Sequence, residues 1–240
     1  MGIGLNEIVA DLPRLKRELT RRGRGELGLL RATGRDWPQE AETMIGTRRL
    51  NHLQLCVEQV LREGVPGDLM ETGVWRGGAC ILMRAVLKAS GDTERVVWAA
   101  DSFAGLPKPD GRYPEDEGDP HWKHNDVLAV PLEEVKAAFA RYGLLDGQVR
   151  FLEGWFHETL PQAPVERLAV LRLDGDMYGS TMDALIHLYP RLSPGGLLIV
   201  DDYGAVRGCR RAVDEYRRRQ CIREPVERID WTGVWWKKLD

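Results

Sequence analysis

The chain has 240 residues, 43% of them apolar and 30% charged, which is enough for a soluble globular unit with a substantial buried core. Thirty-four basic residues against 37 acidic ones leave a formal charge of −3, without the basic excess by which a nucleic-acid binder meets phosphates. Apolar runs such as Leu197–Val200 fall far short of the roughly 20 residues of a membrane-spanning helix. The N-terminal stretch lacks the apolar core of a signal peptide, so a cytoplasmic protein is expected.

Residues 1–46 read as an arm of short helices, with Leu5, Ile8, Val9, Leu12, Leu15 and Leu19 at helical spacing and breaks between Gly23 and Gly34 and at Pro38. Too small to make a core alone, the arm is expected either to pack on its own body or to join copies into a homo-oligomer, most simply a symmetric dimer. From Thr47 a helical repeat of Leu50, Leu53, Val57, Val60 and Leu61 runs to a stop at Gly64.

The body, 47–240, then alternates. Strands are predicted at 67–71, 96–101, 149–153, 168–173 and 196–200, with a final pair near 227–230 and 233–237; helices are predicted at 77–90, 132–142, 180–190 and 206–220. Such alternation is the sequence form of an α/β fold with a mostly parallel sheet covered on both faces. Only Trp231 and Thr232 separate the last two strands, too few residues for a crossover helix, so these form an antiparallel hairpin. Five parallel strands closed by a C-terminal antiparallel hairpin is the Rossmann-like layout of class I S-adenosylmethionine (SAM) methyltransferases.

One long segment, about 102–130, carries no periodic pattern and leaves the carboxyl edge of the sheet, where open α/β folds bind ligands; it reads as an active-site lid. Its acids Asp110, Glu115, Asp116, Glu117 and Asp119 and its histidines His121 and His124 read as solvated. Phe103, Leu106, Tyr113 and Trp122 are candidates to stack on an acceptor. The cysteines at 56, 80, 209 and 221 match neither a zinc site nor a redox pair and read as free thiols.

Three motifs carry chemistry. In the first, Glu71-Thr72-Gly73 ends the first strand and leads through Gly77-Gly78 into a helix, a turn that lets backbone approach a ligand closely. Glu71 there suits a cationic sulfonium amino acid better than a pyrophosphate. In the second, Asp101 ends the second strand and can accept hydrogen bonds from both hydroxyls of a ribose. In the third, Leu173-Asp174-Gly-Asp176 ends the fourth strand and Val200-Asp201-Asp202 the fifth. Neighbouring strands lie about 4.8 Å apart, so these carboxylates converge and repel unless a cation neutralises them. An all-oxygen set points to Mg²⁺, Mn²⁺ or Ca²⁺. Helix capping by Asp176 or Asp201 is the plainer alternative for one or two of them.

The runs Thr43-Met-Ile-Gly46, GDLMETGVWRGGACILMRAVLKA, ADSFAGLP, LDGDMYGST and VDDYG together resemble the TylF-type macrocin O-methyltransferase family over roughly residues 40–240. The resemblance implies a SAM- and Mg²⁺-dependent enzyme that methylates a sugar hydroxyl of a glycosylated natural product in antibiotic biosynthesis. It implies SAM contacts from Thr43, Met44, Glu71, Thr72, Gly73, Asp101, Ser102 and Trp155. It also implies a metal held by Asp174, Asp201 and Asp202, with Asp176 and Asp174 catalytic and Asp176, ahead of Asp174, the candidate general base. A catechol or other non-sugar diol would be served by the same metal. From other classes, an NAD(P)-dependent oxidoreductase lacks its Tyr-x-x-x-Lys pair here, and a non-catalytic cofactor binder would have no use for concentrated carboxylates.

Overall fold

In the computed structural model, which describes residues 24–239, the apolar runs become strands β1 (Asp68–Thr72), β2 (Val97–Asp101), β3 (Val149–Glu153), β4 (Leu168–Leu173), β5 (Leu192–Val200), β6 (Glu227–Arg228) and β7 (Val234–Lys237). They form one sheet in the order β3-β2-β1-β4-β5-β7-β6. The first five run parallel, and β7 lies antiparallel to both β5 and β6, which makes the expected hairpin. Strand β5 begins at Leu192 rather than Gly196. A bulge between Leu192 and Leu197, with Gly195 at φ +82°, absorbs the Pro-Gly-Gly that reads as a turn.

The helices are α1 (Arg24–Ala32), α2 (Gly46–Arg62), α3 (Gly78–Ala89), α4 (Asn125–Leu128), α5 (Leu132–Arg141), α6 (Phe156–Thr159), α7 (Tyr178–Leu188) and α8 (Arg207–Arg219). None of the described helices is long and apolar enough to cross a membrane. Side chains alternate across a strand, so the sheet feeds two apolar layers. On one face Leu69, Val97 and Val170 pack with Leu53 and Val57 of α2, Met83 and Leu87 of α3 and Phe139 of α5. On the other Met70, Leu171 and Leu198 pack with Met182 and Leu185 of α7, Val213 of α8 and Trp236 of β7. Each fully buried Leu or Val is worth about 1.5–3 kcal/mol. All six residues of β4 are buried, as befits a central parallel strand, yet one of them is Arg172.

The described part of the arm packs on the body: Ile45 joins the core, Trp37 is buried, and the Trp231 indole donates to the Thr33 carbonyl at 2.7 Å. Leu5, Ile8, Val9, Leu12, Leu15 and Leu19, the residues that motivate an oligomer, lie outside the described residues. Cys56, Cys80 and Cys209 are buried free thiols and Cys221 is an exposed one.

Segment 102–130 is neither structureless nor fully solvated. It contains 3₁₀ turns at Pro114–Asp116 and His121–His124 as well as α4, and Asp116 and His121 are buried. Sequence composition makes both look solvated; tertiary partners, described next, account for their burial.

Candidate active site

Parallel strands end at a common edge, and an open cleft of about 1160 Å³, counted to its mouth, lies there. Gly73 shapes its floor: at φ +85° it turns the chain out of β1, and a side chain at that position would collide with the Asp174 carbonyl. Thr43, Met44, Glu71, Gly73, Asp101, Ser102 and Trp155 all line this cleft, together with Asp174, Asp176, Asp201 and Asp202. Thr72 does not. Its side chain is buried with Oγ1 unpartnered, and its carbonyl accepts from the Asp174 amide at 2.8 Å.

The Asp101 carboxylate is pinned where β2 ends. Oδ2 accepts from the Val74 amide at 2.6 Å and Oδ1 from the Phe103 amide at 2.8 Å. Burial raises its pKa, and these two amides work against the rise. Oδ1 also accepts a longer bond from the Ser102 hydroxyl at 3.4 Å; with about two acceptor positions per carboxylate oxygen, Oδ2 keeps one for an incoming donor.

The cluster at β4 and β5 is built differently from the sequence expectation. Carboxylate oxygens of Asp174, Asp201 and Asp202 fall within 4.8 Å of one another. Two arginines that sequence reasoning misses already meet part of this charge. Arg172 donates to Glu71 Oε1, to Asp174 Oδ2 (2.7 Å) and to Asp201 Oδ1, and Arg49 of α2 donates to Asp201 Oδ2 and pairs with Asp230 at 3.2 Å. Arg172 has a signal, a charge inside the apolar run LAVLRL. Arg49 has none, because an Arg on an amphipathic helix normally reads as solvated.

Glu71 is 2% exposed, so burial pushes its pKa up to about 7 against the attraction of Arg172. Its Oε2 also accepts from the Cys80 thiol at 3.0 Å. Asp174 is raised by burial too.

Asp202 and Asp176 lack such partners. The one side-chain hydrogen bond of Asp202 is from the Asp176 amide, at 3.3 Å, and burial with the charge of Asp176 drives its pKa well above the carboxylate range. Asp176 sits at φ +55°, a conformation unfavourable for a non-glycine residue. Burial and then Asp174 push it up to about 7, opposed by His121.

His121 accounts for its own burial. It pairs through Nδ1 with Asp119 and lies near enough to Asp176 for each charge to act on the other. Burial alone would lower its pKa, but the Asp119 bond and the two carboxylate charges raise it.

Neither Asp176 nor Asp201 caps a helix. The cap of α7 comes from Asp116 in the lid, whose carboxylate accepts from the Tyr178 and Gly179 amides, each at 2.9 Å. The plainer alternative for the acidic cluster therefore fails. A set of three carboxylates, one without a counter-ion, fits a hard divalent cation.

The model of the macrocin-O-methyltransferase (TylF) family matches residues 5–238. Over 209 residues the chain is 62% identical to the 8-demethyl-8-(2,3-dimethoxy-alpha-L-rhamnosyl)-tetracenomycin-C 4'-O-methyltransferase of Streptomyces olivaceus, covering 86% of this chain and 79% of that one. It is 56% identical over 211 residues to the mycinamicin III 3''-O-methyltransferase of Micromonospora griseorubida, covering 87% and 83%. Among solved structures, the O-methyltransferase NovP superposes with a TM-score of 0.86 at 52% identity, covering 89% of this chain and 88% of that one.

Proposed function

Since the chain belongs to the macrocin-O-methyltransferase (TylF) family, we propose that it moves the methyl group of SAM onto one hydroxyl of a deoxysugar carried by a glycosylated natural product, with Mg²⁺ at Asp174, Asp201 and Asp202. That it is an O-methyltransferase of class I fold follows from the membership and from the likeness to NovP. The oxidoreductase and non-catalytic alternatives fall with it. The S. olivaceus and M. griseorubida relatives, by their names, act on a rhamnosyl tetracenomycin and on mycinamicin III, and the sugar acceptor is inferred from them.

The observation that carries the metal reading is the shortage of positive charge. Arg49 and, buried behind the cleft wall, Arg172 stand against Glu71, Asp174, Asp176, Asp201 and Asp202, which line it. Bound there, a divalent ion supplies Lewis acidity toward a hydroxyl oxygen.

The chain's own residues do the rest. Asp101, already oriented by two amides, accepts from the ribose hydroxyls of SAM. Glu71 faces its ammonium, and Gly73 and Ser102 let backbone approach. Thr43 and Met44 cover the cofactor from the arm, and Trp155 borders the adenine. Thr72 lies outside the cleft, its carbonyl bonded to the Asp174 amide. Asp176, with a pKa near 7, is a proton acceptor matched to neutral pH. One of its oxygens takes the hydroxyl proton as the sugar oxygen bonds to the methyl carbon. The carbon–sulfur bond breaks, and the products are the methyl ether and S-adenosylhomocysteine.

The test is incubation with SAM, Mg²⁺ and a panel of rhamnosyl tetracenomycins, macrolide glycosides, simple catechols and free sugars, scored by a mass gain of one methylene. Methylated glycosides are expected. Methylation of catechols alone would replace the sugar reading with the diol reading.

A further inference from the structure

Helix α7 begins directly after the turn that carries Asp174 and Asp176, and its first amides have no partners within the helix. Met177, at the N-cap position, offers no side-chain acceptor. Both of the first two amides are satisfied instead by one carboxylate from the lid, Asp116, across 62 and 63 positions of sequence.

The fit is built from both sides. Gly179 is the helix residue under the carboxylate, and a Cβ there would stand 2.6 Å from Asp116 Oδ2 and 2.7 Å from the Tyr113 ring. Tyr113 packs edge-on against Tyr178 and donates to Asp183 Oδ1 at 2.8 Å. From the same anchor the lid runs inward, since the Asp116 carbonyl accepts from the Asp119 amide and Asp119 holds His121 beside Asp176.

We propose that Asp116 is a positioning residue for methyl transfer. As a cap supplied from the lid, it latches the lid onto α7 and at the same time fixes the turn that presents Asp174 and Asp176. The turn needs such a hold, because Asp176 stays in a left-handed conformation that a free loop would leave. The cleft gains a wall by the same bond, since Leu106 and Arg112 of the lid line it. The inference rests on the reading of Asp174 and Asp176 given above. The latch itself does not.

Hydrogen–deuterium exchange on the full chain tests the latch without any acceptor. In Asp116→Ala, exchange at residues 174–181 and in the lid at 112–124 is expected to rise together, roughly two- to thirtyfold, the range for losing a cap. Asp116→Asn, which keeps one acceptor oxygen for the two amides, restores part of the protection. Gly179→Ala, which leaves the carboxylate intact but removes its seat, behaves like Asp116→Ala. Glu115→Ala, which removes only an ion pair with the exposed Arg211 at 2.9 Å, exchanges as the wild type does. Unchanged exchange in Asp116→Ala would overturn the latch, and a loosened lid over an unchanged 174–181 turn would overturn the positioning role.

Titration with Mn²⁺ alone provides a second readout. Affinity is expected to fall in Asp116→Ala and to recover in part in Asp116→Asn; wild-type affinity in Asp116→Ala would count against positioning. If the wild type binds no Mn²⁺, the metal reading fails, while the exchange data still decide the latch.

Discussion

The carboxylates at the sheet edge divide into two halves with opposite electrostatics. Asp201 has a guanidinium on each oxygen and Glu71 has one, whereas Asp202 and Asp176, close by, have none. The paired half is framework: Arg172 ties the ends of β1, β4 and β5 together and Arg49 adds α2. In the unpaired half a buried charge without a partner costs several kcal/mol, so its groups hold protons at a pH where carboxylates are normally ionised. The proposed cation site draws on that difference, since a site that receives a cation has to leave charge unmet.

Breaking the paired half has the largest expected effect. Arg172→Met leaves Glu71 and Asp201 without their shared partner and should destabilise the fold by about 3–5 kcal/mol, read by chemical denaturation. Asp202→Asn is the opposite case. The metal-free chain should lose little stability, because burial beside Asp176 already disfavours the charged form of this carboxyl, while metal-dependent turnover falls by at least about 100-fold and SAM affinity stays within about twofold. Calorimetry and turnover on the same preparation separate these outcomes.

Asp101→Ala lies outside both halves. It removes charge-assisted bonds worth about 1.5–3 kcal/mol, a loss of SAM affinity of roughly 10- to 150-fold. Unchanged affinity would remove Asp101 from the cofactor site.

The smallest effect is a pH slope from Glu71. Its folded pKa of about 7 lies above the 4.5 of an ordinary glutamate, so between those values the folded chain holds more protons than the unfolded one. Stability from this group is therefore greatest in acid and falls as pH rises from about 4.5 to about 7. Glu71→Gln should flatten that part of the stability profile measured by denaturation at pH 5 and 8.

Much of this was legible in the sequence because the signals are local. Apolar runs and glycine stops locate all seven strands, and strand-end acids locate Asp101, Asp174, Asp201 and Asp202. What escaped depends on contacts distant in sequence. Arg49 meets Asp201 across 152 positions, and Asp116 meets Tyr178 across 62. No periodicity encodes such pairs, so the lid acids look solvated until the fold supplies their partners. Thr72 shows the reverse limit: a motif names it with its neighbours, but strand alternation turns its side chain away from the cleft that Glu71 and Gly73 line.

The most direct measurement is a calorimetric titration of the full chain with Mg²⁺ and Mn²⁺ near neutral pH, in two buffers of different ionisation enthalpy. One ion should bind per chain with release of protons from the unpaired half. Binding should vanish in Asp174→Asn and Asp202→Asn and persist in Asp101→Ala. A wild-type chain that binds no ion, or variants that bind as the wild type does, would contradict a metal centre at these carboxylates.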